Sequence, residues 1–376
     1  MLTVLYICTD VDFAGSSKSL YNMIEALHGK VHPIVLLSAK GEVYDYFTKH
    51  GIQCIVKPFF YLWEKPKRLK TVLHHPSKSL YYQNWKIDRE CVKYVKHVLD
   101  KIKVDIVHTN TTIVTIGINL SKALQAKHVW HVREYLDLDH GIKVFRGQKR
   151  LRRLINDANA RIVITKSVNQ HWNLKNDFTF VFPNAVRHTN EAIYNETKEK
   201  YFLFASASLT ENKGASFAIR SFAKSKLAAK GYRLTMLGHC SVEYKQFLNE
   251  LIDSYAIQDS IEFLGFKSNV EEFYSNASGY LMTSQCEAMG RVTVDAMFFG
   301  CPIIARNTGG TADIIHDGYN GLLFSTEEEC ASLMNRVVND EVNISLMIKN
   351  AQKEAIEKYS VEKYRNEILK VYNAIC

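Results

Sequence analysis

The chain has 376 residues, of which 47% are hydrophobic and 23% are charged, and it carries a formal net charge of +9. This composition is typical of a globular protein and excludes the disordered and collagen-like classes. The length exceeds what one hydrophobic core usually needs and suits two domains of about 180 residues each. The longest apolar run, around 294–305, is shorter than the ~20 residues of a membrane span and contains Asp295 and Pro302.

The start of the chain and its cysteines both favour the cytoplasm. The opening MLTVLYICTD has no basic residues before its apolar run, so it is predicted to be a first strand and not a signal peptide. The eight cysteines form no CxxC pair, and several lie in predicted core strands. They are therefore expected to be reduced thiols, and no zinc site is predicted.

Strand and helix signals alternate along the first half of the chain. Strands are predicted at 3–7, 33–37, 52–56, 105–108, 128–132, 161–164 and 180–182, with helices at 18–27 and 88–101 among them. A polar stretch without periodicity, 184–200, is the predicted linker.

The second half shows the same alternation. Strands are predicted at 201–205, 232–237, 261–264, 279–282, 302–304 and 322–324, and helices at 214–228, 242–255 and 326–338. The fold class is therefore α/β with two doubly wound parallel sheets. An amphipathic run at 361–372 closes the chain.

Positive charge is concentrated in the first half. Residues 1–185 contain 28 Lys and Arg and 15 Asp and Glu, a net charge of +13, so the remainder carries −4 to give the total of +9. The excess lies in a stretch where Phe59, Phe60, Tyr61, Trp63, Tyr81, Tyr82 and Trp85 alternate with Lys65, Lys67, Arg68, Lys70, Lys78 and Lys86, and in a second stretch of Lys143, Arg146, Lys149, Arg150, Arg152 and Arg153. Such stretches suit an anionic membrane or acceptor, a solvated surface or, less well, nucleic acid.

Two acids separated by seven residues, Glu287 and Asp295, form the most informative pattern. They follow a strand signal and surround a predicted helix start at Gly290 and Val292. The first N–H groups of a helix attract an anion such as a diphosphate, and carboxylates accept hydrogen bonds from sugar hydroxyls. The pattern suits a nucleotide-sugar site, but two acids at this spacing are also typical of a solvated helix face, and the spacing alone leaves both interpretations open.

The surrounding sequence favours the nucleotide-sugar site. The segment CEAMGRVTVDAMFFGCPIIARNTGGTADIIHDGYNGLLF resembles the signature of the family-four retaining glycosyltransferases of GT-B fold (glycosyl transferases group 1). Shorter matches extend over nearly the whole chain: LYICTDVDFAGSSKSL, DIVHTN, HVRE, VITKSV, FPNAV, LTENKG and IEFLGF. The resemblance implies two Rossmann-like domains facing a cleft, with an acceptor domain at 1–186, a donor domain at 187–359 and a last helix at 360–376 that packs back on the first domain.

The resemblance also implies roles for particular residues. Glu287 contacts donor-sugar hydroxyls, Lys213 neutralises the diphosphate, and His131 reaches the donor sugar from the first domain. Asp295, where the family more often has Glu, holds the ribose. The family's Gly-Arg before Lys213 is replaced by Ala207-Ser208, so Arg291 is predicted to supply the missing guanidinium.

Further predicted donor-binding positions are Gly290 and Val292 at the helix start, Gly15 and Ser16 at the first helix, Gly238, and Gly310. Phe266, with Gly265, resembles the edge at which the family binds the base. Gly310, with Gly309, serves either a close approach to the donor or only a tight turn. His108, Arg133 and Glu134 are weaker candidates, the last two for the acceptor side.

The function predicted from these features is a retaining, metal-independent glycosyltransferase that needs no cofactor. It moves a sugar from a nucleotide diphosphate sugar to a hydroxyl of a glycan or lipid-linked acceptor in surface polysaccharide or glycoconjugate synthesis. It is expected in the cytoplasm or at the inner face of the plasma membrane, without a nucleic-acid partner. Two alternatives remain open: a sugar-nucleotide epimerase of the same fold, and a non-catalytic protein that binds sugar nucleotides or glycans.

Overall fold

The computed structural model describes residues 1–13, 15–62 and 76–376, with the side chains of 76–83 left out. The chain divides into two compact units. Unit 1 comprises Met1–Ala185 and Tyr364–Cys376, and unit 2 comprises Val186–Lys363. Each unit is built on a parallel sheet, which confirms the predicted α/β class with two doubly wound sheets.

The sheet of unit 1 has the strand order β3-β2-β1-β4-β5-β6-β7 in the described part of the chain, and every pair in it is parallel. The strands are β1 (Leu2–Cys8), β2 (Val31–Leu37), β3 (Gln53–Val56), β4 (Ile106–Thr109), β5 (Lys127–Val132), β6 (Ala160–Val163) and β7 (Thr179–Val181). The helices are α1 (Gly15–Ala26), α2 (Glu42–Lys49), α3 (Pro76–Val98), α4 (Ile116–Leu124), α5 (Asp137–His140), α6 (Gln148–Asn156) and α7 (Lys166–Trp172).

The sheet of unit 2 has the order β10-β9-β8-β11-β12-β13 and is also parallel. Its strands are β8 (Glu199–Ser208), β9 (Arg233–His239), β10 (Ile261–Gly265), β11 (Ala277–Met282), β12 (Ile303–Arg306) and β13 (Leu322–Phe324). The helices are α8 (Ala215–Ser225), α9 (Val242–Ser254), α10 (Glu271–Asn276), α11 (Arg291–Phe298), α12 (Gly309–Ile314), α13 (Glu327–Val338) and α14 (Ile344–Tyr359). Helix α15 (Val361–Ile375) starts in unit 2 and belongs to unit 1 from Tyr364 onward.

Both sheets are buried because helices cover their two faces, as parallel sheets require. Leu5, Ile7 and Val107 of unit 1 and Phe202 and Leu281 of unit 2 have no exposed surface. Since all strands in a sheet point the same way, the loops after their carboxyl ends meet at one edge. These loops carry the residues predicted to form the site.

The end of helix α15 packs on unit 1. The Tyr364 ring lies 5.8 Å from the Phe182 ring, and the Arg365 Nε atom donates a hydrogen bond to the Ala26 carbonyl at 2.5 Å. The Tyr372 side chain is completely buried. This segment of the chain end is therefore part of the unit 1 core.

The first basic and aromatic stretch lies only partly at the surface. Phe59 is 4% exposed in the hydrophobic core, and the Tyr61 hydroxyl donates a hydrogen bond to the Thr9 carbonyl at 2.8 Å. The prediction of surface rings is therefore wrong for Phe59, because its apolar ring is buried against the sheet, and Tyr61 is half-buried. Trp85 is 45% exposed and fits the prediction. Trp63, Lys65, Lys67, Arg68 and Lys70, and the side chains of Lys78, Tyr81 and Tyr82, lie outside the described residues.

Candidate active site

Two loops meet at the carboxyl edge of the unit 2 sheet. One links β8 to α8 and the other links β11 to α11. The Gln285 N–H donates to the Asn212 carbonyl at 2.9 Å, and the Thr283 hydroxyl donates to the Gly214 carbonyl at 2.8 Å. Gly214 has φ +77°, and a Cβ atom there would lie 2.2 Å from the Thr283 carbonyl oxygen. Only glycine therefore allows this approach.

The contact between the loops brings Lys213 and Glu287 together. The Lys213 Nζ atom donates to Glu287 Oε1 at 2.6 Å, and the two side chains are 32% and 17% exposed. Lys213 precedes helix α8, and Glu287 lies in the loop before helix α11. These two residues, 74 positions apart in the chain, are the ones predicted to act on the diphosphate and on the donor sugar.

Gly309 and Gly310 support the backbone beside Glu287. The Gly310 N–H donates to the Glu287 carbonyl at 2.7 Å. A Cβ atom on Gly310 would lie 2.2 Å from the Ala288 carbonyl oxygen, and one on Gly309 would lie 2.8 Å from that of Glu287. The two glycines therefore let the start of α12 pack directly on the loop that carries Glu287.

Gly290 ends this loop and precedes helix α11. It has φ +76°, and Arg291 is the first residue of the helix. Arg291 and Val292 are half-buried. The predicted donor-binding residues at this helix start therefore follow Glu287 directly at the same sheet edge.

Asp295 lies one turn further along α11 and has a different partner. Its Oδ1 atom accepts a hydrogen bond from Arg187 Nε at 2.8 Å. The Arg187 guanidinium also contacts Glu191 at 3.2 Å and Glu271 at 3.3 Å, and it lies 4.8 Å from the centre of the Phe299 ring. Asp295 is thus bound to the chain's own arginine.

The Glu287 and Asp295 carboxylates nevertheless both influence the pKa of one residue, Tyr280. Burial raises the pKa of the Tyr280 hydroxyl, and the Glu287 and Asp295 carboxylates raise it further. Tyr280 lies on β11, where its hydroxyl is 3.3 Å from the Met282 sulfur. Both carboxylates therefore lie near the same strand.

Two further predicted donor-binding residues lie at the ends of β9 and β10. Gly238 has φ +147°, and a Cβ atom there would lie 2.6 Å from the Ser206 carbonyl oxygen. Phe266, which is 46% exposed, stacks on the ring of His239 with 4.9 Å between ring centres and 6° between ring planes. His239 was not predicted, since nothing in the sequence links it to Phe266.

At the start of the first helix of unit 1, the Asp10 carboxylate accepts hydrogen bonds from the chain. Gly15 is the first residue of α1, and the Ser16 hydroxyl donates to Asp10 Oδ2 at 2.5 Å. The Ser17 N–H donates to the same oxygen at 2.8 Å. The Ser16 hydroxyl, predicted to bind the nucleotide sugar, and the Ser17 N–H are therefore engaged by a carboxylate.

His131 lies at the end of β5 and is completely buried. Its Nδ1 atom lies 3.2 Å from His108 Nε2 and 3.3 Å from Arg133 Nη2. Burial and the neighbouring Arg133 charge lower the pKa of both histidines well below the ordinary value, so both rings are neutral. Glu134 accepts hydrogen bonds from Thr111 and Thr112, and its desolvation raises its pKa.

The remaining predictions about sites concern cysteines, metals and membranes. All eight cysteines are free. In the described ranges, no group of three or more His, Cys, Asp and Glu side chains is arranged to hold a metal ion. No helix within the same ranges has both the length and the apolar character needed to cross a bilayer.

Sequence and structure comparisons place this geometry in a known context. Residues 186–354 match the family model of glycosyl transferases group 1. The uncharacterized glycosyltransferase MJ1178 of Methanocaldococcus jannaschii is 26% identical over 293 residues, which are 75% of this chain and 79% of that protein. The alpha-monoglucosyldiacylglycerol synthase of Acholeplasma laidlawii is 22% identical over 345 residues, 81% of this chain and 86% of that protein.

The fold is shared along its whole length with a solved structure. Anabaena Alr3699/HepE, crystallised in complex with UDP, has a TM-score of 0.82 and 18% identity, and the match covers 100% of both chains. The complex of the same protein with UDP-glucose has a TM-score of 0.80. Residues 186–354 are therefore similar to glycosyl transferases group 1, and the whole chain shares its fold with the HepE structure.

Proposed function

We propose that the protein is a retaining glycosyltransferase whose donor, a nucleotide diphosphate sugar, binds to unit 2 at Lys213 and Glu287. The observation that carries the proposal is the ion pair between these side chains, 2.6 Å long and partly exposed, at the carboxyl edge of a parallel sheet. Ligands of open α/β sheets bind at this edge. The pair presents a cation for the diphosphate and an acid for the sugar hydroxyls.

The start of helix α11 supports the same placement. The start of this helix follows Glu287 by four residues, and the positive end of a helix dipole favours a negatively charged ligand. Arg291, the first residue of the helix, adds a guanidinium in place of the arginine missing before Lys213. The diphosphate is then stabilised by Lys213, Arg291 and peptide N–H groups, so the proposed reaction needs no metal ion.

The proposed reaction is a substitution at the anomeric carbon. The bond from this carbon to the donor phosphate oxygen breaks, and a bond to the acceptor hydroxyl oxygen forms on the same face. The hydroxyl proton passes to the departing diphosphate. Lys213 stabilises the charge that develops on that leaving group.

The acceptor is proposed to be a glycan or lipid-linked hydroxyl that binds to unit 1, in surface polysaccharide or glycoconjugate synthesis. The cations of helix α6 and its preceding loop support an anionic membrane nearby, because residues 141–156 contain six Lys and Arg and no acid. Lys149, Arg150 and Arg153 are exposed. The Acholeplasma relative, whose name states a diacylglycerol product, supports a lipid acceptor.

Donor binding is tested by thermal shift with UDP-, GDP- and ADP-sugars, starting with UDP-glucose because HepE binds it. A donor at 100 times its Kd adds about 2.7 kcal/mol to stability. We expect Lys213→Ala and Glu287→Gln to abolish most of this gain and Arg291→Ala to weaken binding at least tenfold. The matched control is Lys224→Ala, which removes a lysine paired with Glu327 in the same unit. Equal donor affinity in all four variants would reject the site.

Turnover separates the proposal from its alternatives. Release of nucleotide diphosphate that depends on an acceptor, with the donor's anomeric configuration kept in the product, supports a retaining transferase. A new epimer formed from a UDP-sugar alone would instead indicate an epimerase. Donor binding without any release, together with an unchanged cellular phenotype of Glu287→Ala, would indicate a non-catalytic protein.

Membrane contact is tested by vesicle flotation with and without anionic lipid. Each cation near an anionic surface contributes about 1 kcal/mol, so Arg150→Gln with Arg153→Gln is expected to weaken binding about 30-fold. The control replaces two exposed lysines of unit 2, Lys349→Gln with Lys353→Gln, and removes the same charge. Equal loss in both double variants would refute a contact specific to α6.

A further inference from the structure

Arg133 is a buried cation whose side chain donates hydrogen bonds to neutral groups. Its side chain is buried, with only 5% of the residue exposed. The Nη1 atom donates to Asn184 Oδ1 at 2.5 Å, and Nη2 donates to Asn110 Oδ1 at 2.8 Å and to His131 Nδ1 at 3.3 Å. No carboxylate of the described residues lies within ion-pair distance of it. Holding a charge in this way is costly, so the arrangement is expected to serve a purpose.

The contact with Arg133 determines which nitrogen of His131 carries the proton. A guanidinium has only donors, so the Nδ1 atom of His131 must present its lone pair. Since the ring is neutral, the proton of His131 is on Nε2. This Nε2 atom is buried and has no hydrogen-bond partner among the described residues.

The His131 tautomer in turn sets the tautomer of His108. Because His131 Nδ1 accepts, His108 must donate to it from Nε2, at 3.2 Å. The neutral His108 ring then has its lone pair on Nδ1, where the Tyr372 hydroxyl lies at 2.8 Å and donates. Tyr372 is thus the far end of a relay that orients His131. The Tyr372 hydroxyl has one proton and a second acceptor, the Tyr6 hydroxyl oxygen at 3.2 Å, so the relay requires that this proton goes to His108 Nδ1, which is nearer and more basic.

We propose that Arg133, and Tyr372 acting through His108, are positioning residues that hold His131 as its Nε2–H tautomer. His131 is then a hydrogen-bond donor to an oxygen of the ligand and never a base. The inference rests on the proposed function for the claim that this ligand is the donor sugar. It also gives the last helix of the chain a role in the site, because Tyr372 lies on α15.

The buried Nε2–H explains why loss of the relay is expected to weaken ligand binding. An unpaired buried donor destabilises a protein by about 1–3 kcal/mol. A ligand oxygen that accepts from Nε2 removes this cost, so part of the binding free energy is available only when the tautomer is fixed. Loss of one neutral hydrogen bond of this kind corresponds to about a tenfold change in an equilibrium or rate constant.

The tautomer is measured directly by ¹⁵N NMR on the full chain labelled at histidine, since protonated and bare ring nitrogens have well-separated shifts. We expect Nε2–H for His131 and His108 in the wild type. Tyr372→Phe removes the donor to His108, so the His108 tautomer should become mixed. Arg133 still donates to His131, so the Nε2–H fraction of His131 should fall only in part, and kcat/KM should fall by less than about tenfold. The control is Tyr364→Phe on the same helix, which should change neither the tautomers nor kcat/KM.

Arg133 is tested by Arg133→Met and the conservative Arg133→Lys. The methionine variant should release the His131 tautomer, and the lysine variant, which keeps a donor, should partly restore it. An Nδ1–H tautomer of His131 in the wild type, or unchanged histidine shifts in Tyr372→Phe, would overturn the inference. If the tautomers behave as expected but His131→Ala leaves donor binding and turnover unchanged, the relay stands and the role proposed for His131 in the site is wrong.

Discussion

The three buried histidines of unit 1 should make its stability fall sharply in mild acid. Burial lowers the pKa of His128 to about 3, and it lowers the pKa of His108 and His131 well below the ordinary value. In the unfolded chain each histidine binds a proton near pH 6.5, so the unfolded state holds more protons below that pH. Stability is therefore fully present above pH 6.5 and is lost as the pH falls.

As long as the histidine ring stays neutral in the folded protein, the loss of stability depends only on the pKa of histidine in the unfolded chain. Between pH 7 and pH 5, a histidine such as His128 costs about 1.9 kcal/mol of unfolding free energy, and His108 and His131 change the stability in the same direction. Asp88 opposes this, since burial raises its pKa to about 6 and the folded state then gains a proton in the same range. This carboxyl offsets about 1.3 kcal/mol.

A single substitution isolates one of these contributions. His128 Nε2 lies 2.9 Å from the Thr109 hydroxyl oxygen, and glutamine at this position keeps a polar atom for that contact but does not titrate. We expect the loss of stability between pH 7 and pH 5 to be about 1.9 kcal/mol smaller in His128→Gln than in the wild type. With an m-value of about 2 kcal/mol per molar urea, the shift of the unfolding midpoint between pH 7 and pH 5 should be about 1 M smaller in His128→Gln than in the wild type.

The assay is urea unfolding followed by tryptophan fluorescence. All four tryptophans of the chain lie within residues 1–185, so the signal reports unit 1. Trp130 and Trp172 are buried, which ensures a large change on unfolding. The reasoning is refuted if the midpoints of the wild type and His128→Gln respond equally to pH, or if wild-type stability rises between pH 7 and pH 5.

Two predictions concern unit 2. Asp295→Asn removes the charge of the carboxylate nearest to Arg187, while Arg187 keeps its two longer carboxylate contacts. We therefore expect the free energy of unfolding to fall by about 2 kcal/mol and the calorimetric Tm to fall by about 4–8 °C. An unchanged Tm would contradict this. Gly214→Ala places a methyl group 2.2 Å from the Thr283 carbonyl oxygen and should remove the donor-induced thermal shift. The control Gly231→Ala has a similar φ of +78° with nothing within 4 Å, so it should keep the shift, and loss of the shift in both variants would disprove the steric argument.

The strands and the Lys213–Glu287 site were predictable because their signals are local. Apolar runs between polar turns mark each strand, and a parallel sheet places the loops after its strands at one edge. The rule brings Lys213 and Glu287 together even though 74 residues separate them. The strand pattern predicts only the edge at which the loops meet; the choice of Lys213 and Glu287 within those loops came from the resemblance to a known family.

The partners of the other candidate residues were not predictable. They lie far away in the sequence, and no local motif distinguishes them from other residues of the same type. Arg187 lies 108 residues before Asp295, in a linker without periodicity. Tyr372 lies 264 residues after His108, in a helix that the sequence shows only as amphipathic. A tyrosine or arginine at such a position is compatible with many partners, and only packing selects one.

The two acids of the motif therefore differ in how easily a ligand can engage them. Lys213 binds Glu287 through a single contact and is 32% exposed, so an arriving diphosphate can attract the ammonium and free the carboxylate for sugar hydroxyls. Arg187 is only 20% exposed, contacts three carboxylates and stacks on Phe299, so no comparable exchange is expected at Asp295. Asp295, one methylene shorter than the usual glutamate, then has one oxygen committed to Arg187. We expect donor affinity to depend strongly on Glu287, and Asp295 to contribute mainly through the stability of the linker.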